Sequence, residues 1–256
     1  KNKNKDVELT QNGINHNIGH TSVKICILHI ESGSSKPVTK HLPSPDRFKN
    51  LLSPRLPEAH WSTINCITDQ LPDNPSQFDA YLITGGKYSV YDDHEWQMQL
   101  FEFIRELYSK SIPLLGICYG HQAIAHVLGG KVEHSTKGWG VGIVSIDVVN
   151  SPHWLVPSQK SVSLLSMHQD QVVRLPRDAT QFMKSDHCEH SGFYVKNRVL
   201  AIQQHPDFTK KLCLDLIIKR KELIGGRYES ALDSLAGDHE GEKVFHWIAN
   251  FLNIQA

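Results

Sequence analysis

The chain has 256 residues, with 27 basic and 27 acidic side chains and a formal net charge of zero. That balance creates no long-range attraction to nucleic acid or to an anionic membrane, so we expect neither as a partner. The chain is 39% hydrophobic and has no apolar run of about 18 residues, so the composition excludes disordered, coiled-coil and membrane-spanning proteins.

The beginning of the chain and the cysteines bear on its organisation and compartment. Residues 1–21 are polar and lack the apolar segment of a secretory signal, and we predict a flexible N-terminal arm there. The five cysteines are odd in number and widely spaced, which fits a reducing compartment better than a disulfide framework. We therefore expect a cytoplasmic protein in which residues 22–256 form one domain.

The first half of this domain alternates strands with helices. The predicted strands are residues 23–30, 61–68, 80–84 and 114–117, and the predicted helices are 94–110 and 122–128. A Gly/Ser/Pro-rich loop is expected after the first strand. Such alternation favours a mostly parallel sheet with helices on both faces, the α/β class.

After residue 130 the pattern changes to short strands joined by turns. They are predicted at 142–149, 162–166, 181–184, 193–195 and 199–203, and we expect them to form an antiparallel extension. Helices are predicted at 210–222 and 242–252, so the domain is expected to end in a helical extension from about residue 209.

The strongest chemical signal lies where the strand 114–117 meets the next helix. Gly116-Ile-Cys118-Tyr-Gly120 has the strand–turn–helix pattern of a nucleophile elbow, with cysteine as the nucleophile. Small residues two positions before and after Cys118 suit the crowding of so sharp a turn. The following helix directs its N-terminus at the sulfur, which favours the thiolate. The alternative is a buried cysteine at a glycine-flanked strand end.

A base and its orienting carboxylate are predicted at the end of the strand 199–203. His205-Pro206-Asp207 follows that strand, and the proline restricts the backbone on both sides of the ring. His205 is the candidate for taking the proton of Cys118, and Asp207 for holding the imidazole. Taken alone, the motif is also compatible with an ordinary turn.

A pair of glycines, Gly85 and Gly86, follows the strand 80–84. In a parallel sheet these glycines lie at the same edge as Cys118. Together with the N–H of Tyr119, their backbone N–H groups are candidates for an oxyanion hole. The alternative is a plain turn from strand to loop.

These motifs, in this order, resemble the class I glutamine amidotransferases. G-I-C-Y-G-H-Q matches the family's nucleophile signature, I-T-G-G its glycine-rich strand, and H-P-D stands where the family has H-P-E. Ser166-Met-His-Gln-Asp170 looks like the loop beside the substrate's amino-acid end. Ser89-Val-Tyr-Asp-Asp93 is similar to the loop that follows the oxyanion glycines in one branch of the family, the branch that resembles the GMP synthetase amidotransferase domain. The resemblance covers about residues 23–208 and implies a flavodoxin-like fold.

The resemblance implies a reaction. Cys118 would attack a γ-glutamyl amide to form a glutamyl thioester, His205 and Asp207 would complete a triad, and Gly86 and Tyr119 would bind the oxyanion. The substrate, glutamine or a γ-glutamyl peptide, would be held by Gly85, Gln122, His168, Gln169 and Asp170. No metal or cofactor is implied. Asp207 is one methylene shorter than the family's glutamate, which puts efficiency in question more than mechanism.

Two other activities stay open. One is a glutaminase subunit that passes ammonia to a separate synthetase, because the chain has no recognised nucleotide-binding loop of its own. The other is a catalytically silent regulatory relative.

Two weaker signals are interpreted as surface features. Residues 186–190 (D-H-C-E-H) contain metal-ligand types but no second matching pair, so a loop is favoured. Basic residues on the helix 210–222 are interpreted as a solvated face, with docking of a partner as the alternative: Lys210, Lys211, Lys219, Arg220 and Lys221.

Overall fold

The computed structural model describes residues 22–32 and 41–253, and the predicted arm, 1–21, lies outside them. The strands are β1 (Lys24–His29), β2 (His60–Asn65), β3 (Ala80–Ile83), β4 (Leu114–Ile117), β5 (Lys131–His134), β6 (Gly140–Val148), β7 (Ser161–His168), β8 (Asp170–Arg174), β9 (Thr180–Lys184), β10 (Gly192–Val195) and β11 (Val199–Ile202). The helices are α1 (Ser44–Leu52), α2 (Glu95–Ser109), α3 (Tyr119–Val127), α4 (Lys210–Lys219), α5 (Lys221–Ile224), α6 (Tyr228–Ser234) and α7 (Gly241–Asn253).

Nine strands form one mixed sheet in the order β2-β1-β3-β4-β11-β10-β9-β6-β7. The first five in that order are parallel, and the remaining pairs are antiparallel. Strands β5 and β8 form a separate antiparallel pair. The predicted α/β class, a mostly parallel central sheet flanked by helices with an antiparallel extension, is confirmed.

Both faces of the parallel sheet are buried, as the alternating side chains of β1 illustrate. Ile25 and Ile27 join the core beneath α1 and α7, whereas Cys26 and Leu28 join the core beneath α2 and α3. Because successive side chains of a strand point to opposite faces, a strand buried on both sides must be apolar throughout. A third core lies between α4, α6 and the ends of β6 and β7.

The strand β11 differs from its prediction. It was expected within the antiparallel extension, but it pairs parallel with β4 on one side and antiparallel with β10 on the other. All four of its side chains are buried, as is typical of a central strand. This pairing carries the chain after β11 to the same sheet edge as the chain after β4.

Two predictions of local structure are wrong, and one helix was not predicted. The segment 166–170, expected as a loop, consists of the end of β7 and the start of β8, joined at Gln169. The helix predicted over 210–222 is broken at Arg220 into α4 and α5. The loop expected after the first strand is followed by a helix, α1, which buries Phe48 and Leu52.

Helix length bears on membrane insertion. None of the helices among the described residues is both long and apolar enough to span a bilayer.

Candidate active site

Cys118 occupies a strained turn between β4 and α3. Its φ is 53° and its ψ is −103°, a conformation that non-glycine residues rarely adopt. Its backbone N–H donates to the carbonyl oxygen of Ile202 at 2.9 Å, which ties the turn to the end of β11. The strain is held by buried structure on both sides and fixes the side chain at the sheet edge.

The glycines on either side of Cys118 are required by close packing. A Cβ atom at Gly116 would lie 2.5 Å from the backbone of Gly120, and one at Gly120 would collide with the carbonyl group of Ile83. The first turn of α3 therefore packs directly against β3 and β4. No larger side chain fits at either position without moving the backbone.

His205 comes to the same edge from β11. Its backbone N–H donates to Leu165 O at 2.8 Å, and its ring stacks on Phe208 at 3.8 Å between centroids. The ring faces the side chain of Cys118 across Gly85, and its Nδ1 lies 3.2 Å from Oδ1 of Asp207. The structure therefore brings Cys118, His205 and Asp207 together in that order.

Arg47 extends this chain of contacts. Its Nε donates to the second oxygen of Asp207 at 3.0 Å, and Asp207 is fully buried. Sequence reasoning missed Arg47, because it lies on the unpredicted helix α1 and 160 residues from its partner. The arginine holds the shorter carboxylate from the side away from the imidazole.

The charges of these groups reinforce one another. Burial disfavours the imidazolium, but the facing Cys118 and Asp207 outweigh it and raise the pKa of His205 to about 9. Burial also disfavours the Asp207 carboxylate, yet His205 and Arg47 together hold its pKa below the usual value. The arrangement therefore favours a charged imidazolium beside the sulfur.

The two backbone N–H groups predicted to bind an oxyanion flank Cys118. Gly86 follows β3 and borders the cavities on both sides of the sulfur. Tyr119 begins α3, and the N–H groups of a first helical turn have no partner within the helix. The phenol of Tyr119 points elsewhere, because it accepts a hydrogen bond from Gln97 at 2.8 Å.

Cys118 opens into two cavities. The larger, of about 510 Å³, is lined by four of the five predicted substrate-binding residues: Gln122, His168, Gln169 and Asp170. The fifth, Gly85, borders the smaller cavity of about 150 Å³ together with His205. A Cβ at Gly85 would lie 2.6 Å from the His205 ring, so this glycine makes room for the imidazole.

Asp170 is the acidic group of the larger cavity. Its carboxylate accepts hydrogen bonds from Ser89 and, at 2.5 Å, from Tyr91, and it lies 3.2 Å from Nδ1 of His134. Gln122 donates its amide to the backbone oxygen of Asp170 at 2.8 Å. Ser89 and Tyr91 were not predicted as site residues, although the S-V-Y-D-D motif contained the signal.

His168 is a mostly buried residue of the cavity wall. Burial lowers the pKa of His168 to about 3, and its Nδ1 lies 3.1 Å from the Asp170 carbonyl oxygen. The ring is therefore neutral near pH 7, so it can form a hydrogen bond with a substrate without adding a positive charge.

The basic residues of the C-terminal extension do not all form a solvated face. Lys219 and Arg220 line the larger cavity, and Arg220 also lines the smaller one. The expectation of a solvated face is therefore wrong at Arg220, which is partly buried at the break between α4 and α5, whereas Lys219 is exposed at the rim of the larger cavity. In contrast, Lys210 lies at the surface, 3.4 Å from Asp238.

Metal-ligand side chains do not converge in the described part of the chain: it holds no group of three or more His, Cys, Asp or Glu placed to bind a metal ion. In the segment 186–190, Cys188 is buried and its backbone forms hydrogen bonds with Ser185 and Ser191.

Comparison with known proteins gives the same family. The family model for glutamine amidotransferase class-I matches residues 48–221. γ-Glutamyl peptidase 3 of Arabidopsis thaliana is 30% identical over 165 residues, 61% of this chain and 66% of the peptidase. One subunit of the glutamine-hydrolysing GMP synthase of Methanosarcina acetivorans is 32% identical over 148 residues, 57% of this chain and 72% of that protein. The match thus spans just under two thirds of the peptidase.

The fold agrees. A crystal structure of a glutamine amidotransferase from Thermotoga maritima superposes with a TM-score of 0.72, covering 92% of this chain and 99% of that one at 20% identity. The family model covers more than half of the chain and includes Cys118 and His205. The chain therefore belongs to the class I glutamine amidotransferase family.

Proposed function

We propose that this protein is a cysteine-dependent hydrolase that cleaves a γ-glutamyl amide bond, in glutamine or in a γ-glutamyl peptide. The observation that carries the proposal is the series of contacts from Cys118, which borders both cavities, through His205 to the buried Asp207. A nucleophile, a base and a group that orients the base are what covalent catalysis of acyl transfer requires.

The proposed reaction has two halves. The Cys118 sulfur attacks the γ-carbonyl carbon, and the carbonyl oxygen becomes an oxyanion bound by the N–H groups of Gly86 and Tyr119. The C–N bond breaks as His205 gives its proton to the leaving nitrogen. Water then attacks the thioester carbon while His205 takes its proton, and the C–S bond breaks, releasing glutamate and returning Cys118 as the thiolate beside the imidazolium. Asp207 stabilises the imidazolium throughout.

The larger cavity is the proposed site of the glutamyl group. Its acidic side chain, Asp170, is held by Ser89 and Tyr91 and is suited to the substrate's ammonium group. We propose supporting roles for Gln122, which fixes the Asp170 backbone, and for Gln169 and His168 on the cavity wall.

The names of the relatives support hydrolysis of γ-glutamyl bonds and leave room for a partner. The peptidase of Arabidopsis favours an independent hydrolase. The relatives that are subunits of GMP synthases favour the second candidate, a glutaminase subunit that delivers ammonia to a separate synthetase. We further propose one domain over 22–256 and a cytoplasmic location, in keeping with five free cysteines.

The test is release of glutamate from glutamine and from glutathione by the purified protein. We expect release from at least one substrate, and loss of release in Cys118→Ala. Cys66→Ala is the matched control, because Cys66 is buried and does not border either cavity.

Other outcomes separate the alternatives. Activity that arises only after a synthetase is added would favour the ammonia-supplying role. Activity that persists in Cys118→Ala would contradict the mechanism, and no activity under any condition would favour the silent relative.

A further inference from the structure

The leaving group of the proposed reaction must lie on the side of Cys118 that His205 faces. His205 lines the smaller cavity and not the larger one. Because a general acid must reach the nitrogen that it protonates, the leaving group belongs in the smaller cavity. This step rests on the proposed function.

Some of the charged side chains around the smaller cavity have a partner of opposite charge, and others do not. Besides Cys118 and His205 themselves, four charged side chains border it: Glu31, Arg47, Lys87 and Arg220. Arg47 is paired with Asp207, and the Glu31 carboxylate accepts the backbone N–H of Ser44 at 2.8 Å. Within the described residues, no carboxylate lies within 4.0 Å of the Lys87 or Arg220 side chains. With Arg47 neutralised by Asp207, the two cations Lys87 and Arg220 outnumber the one remaining carboxylate, Glu31, so the cavity carries an excess of positive charge.

Arg220 is the better placed of the two cations. It stands at the break between α4 and α5, and its guanidinium lies 5.8 Å from the centre of the Trp139 ring. It is partly buried, and desolvation lowers its pKa, opposed by the charge of Cys118. A partly desolvated guanidinium that faces a cavity favours a planar anion, because it binds a carboxylate through two parallel hydrogen bonds.

We infer that Arg220 is a specificity-determining residue that binds the carboxylate of a peptide leaving group. The preferred substrate class is then a short γ-glutamyl peptide with a free C-terminal carboxylate, rather than glutamine, whose leaving group is ammonia. The cavity of about 150 Å³ has room for a leaving group of one small residue next to the scissile bond. Arg220 borders the same cavity as Cys118 and His205, so the anion and the bond are within reach of one another.

The experiment uses three substrates that share the glutamyl group: γ-glutamylglycine, γ-glutamylglycinamide and glutamine. Glutamate release is measured for the wild type, Arg220→Gln and Arg220→Lys. The control is Lys221→Gln, which removes the same charge one residue away from an exposed side chain that borders neither cavity.

We expect the wild type to prefer the free acid. Arg220→Gln should lose about 10- to 100-fold in kcat/KM on γ-glutamylglycine, mostly through KM, the size typical of a hydrogen bond to a charged group. It should change less than about twofold on the amide and on glutamine. Arg220→Lys should recover part of the loss, and Lys221→Gln should behave as the wild type does.

Two results would overturn the inference while leaving the proposed function intact. If Arg220→Gln lost kcat/KM equally on all three substrates, Arg220 would act on the glutamyl carboxylate or in folding. If Arg220→Gln kept the wild-type preference for the free acid, Arg220 would have no role in recognising the leaving-group carboxylate. Failure of the wild type to release glutamate from any of the three substrates would overturn both the inference and the proposed function.

Discussion

Gly85→Ala tests whether the position of His205 matters, because it disturbs the ring without removing any catalytic group. The added methyl carbon would lie 2.6 Å from Cε1 of His205 and 3.2 Å from Cβ of Cys118. The φ of Gly85 is outside the left-handed region, so the change adds a methyl group without backbone strain.

The size of the effect follows from the distance that the ring must move. Ordinary van der Waals contact begins near 3.4 Å, so the imidazole must retreat by roughly 0.8 Å from the new methyl group. Its stacking on Phe208 and its hydrogen bond to Asp207 both oppose that movement. Because a misplacement of about 1 Å costs on the order of 100-fold in rate, we expect a similar loss in kcat/KM.

The assay is glutamate release, with thermal unfolding measured in parallel. Gly226→Ala is the matched control, because a Cβ there meets nothing within 4 Å and the position has no positive φ. Overpacking at Gly85 should cost about 1–3 kcal/mol of stability, so the variant should still fold. A folded Gly85→Ala protein with activity within threefold of the wild type would refute this placement of the imidazole.

Three further predictions concern the same groups. His205→Ala should lose at least about 100-fold in kcat/KM, the usual contribution of a general base, and a loss below about tenfold in steady-state assays would indicate another base. Because His205 must be protonated to supply the leaving nitrogen, activity should decline as the pH rises through about 9; a pH–rate profile flat to pH 10 would contradict this role. Asp207→Asn removes a charge that raises the pKa of His205 and leaves Arg47 without its partner, so the alkaline limb should move to lower pH. An unmoved limb in that variant would separate Asp207 from the imidazole.

The parallel sheet was predictable because its signals are local. A strand buried on both faces can be predicted from a short apolar run, as in Leu114–Ile117. The glycines on either side of Cys118 likewise indicate close packing within a single turn. The pairing of β11 with β4 was not predicted, since hydrogen bonds between strands 85 positions apart in register leave no local pattern.

The missed parts of the site depend on tertiary contact. Arg47 contacts Asp207 from α1, a helix that begins in a proline-containing segment. From the sequence alone, the charge of Arg47 indicates an exposed residue. Arg220 belongs to a helical pattern that continues past it, so the break that turns it toward the cavity was not visible. Tyr91 lay within a recognised motif, but its bond to Asp170 joins positions 79 residues apart.

The four cysteines other than Cys118 supply an internal control for the central claim. All are buried, and burial raises the pKa of their thiols to about 11 for Cys213 and to about 12 for the other three: Cys26, Cys66 and Cys188. Only Cys118, among the cysteines, borders either cavity described at the sheet edge. A glutamine-mimicking electrophile at neutral pH should therefore distinguish it from the rest.

The most direct measurement is labelling of the folded protein with that electrophile, followed by intact-mass and peptide analysis. We predict one adduct per chain, located on Cys118, slowed by excess γ-glutamyl substrate and absent from Cys118→Ala. Labelling spread over several cysteines, or an unlabelled Cys118 in the folded protein, would contradict its role as the nucleophile.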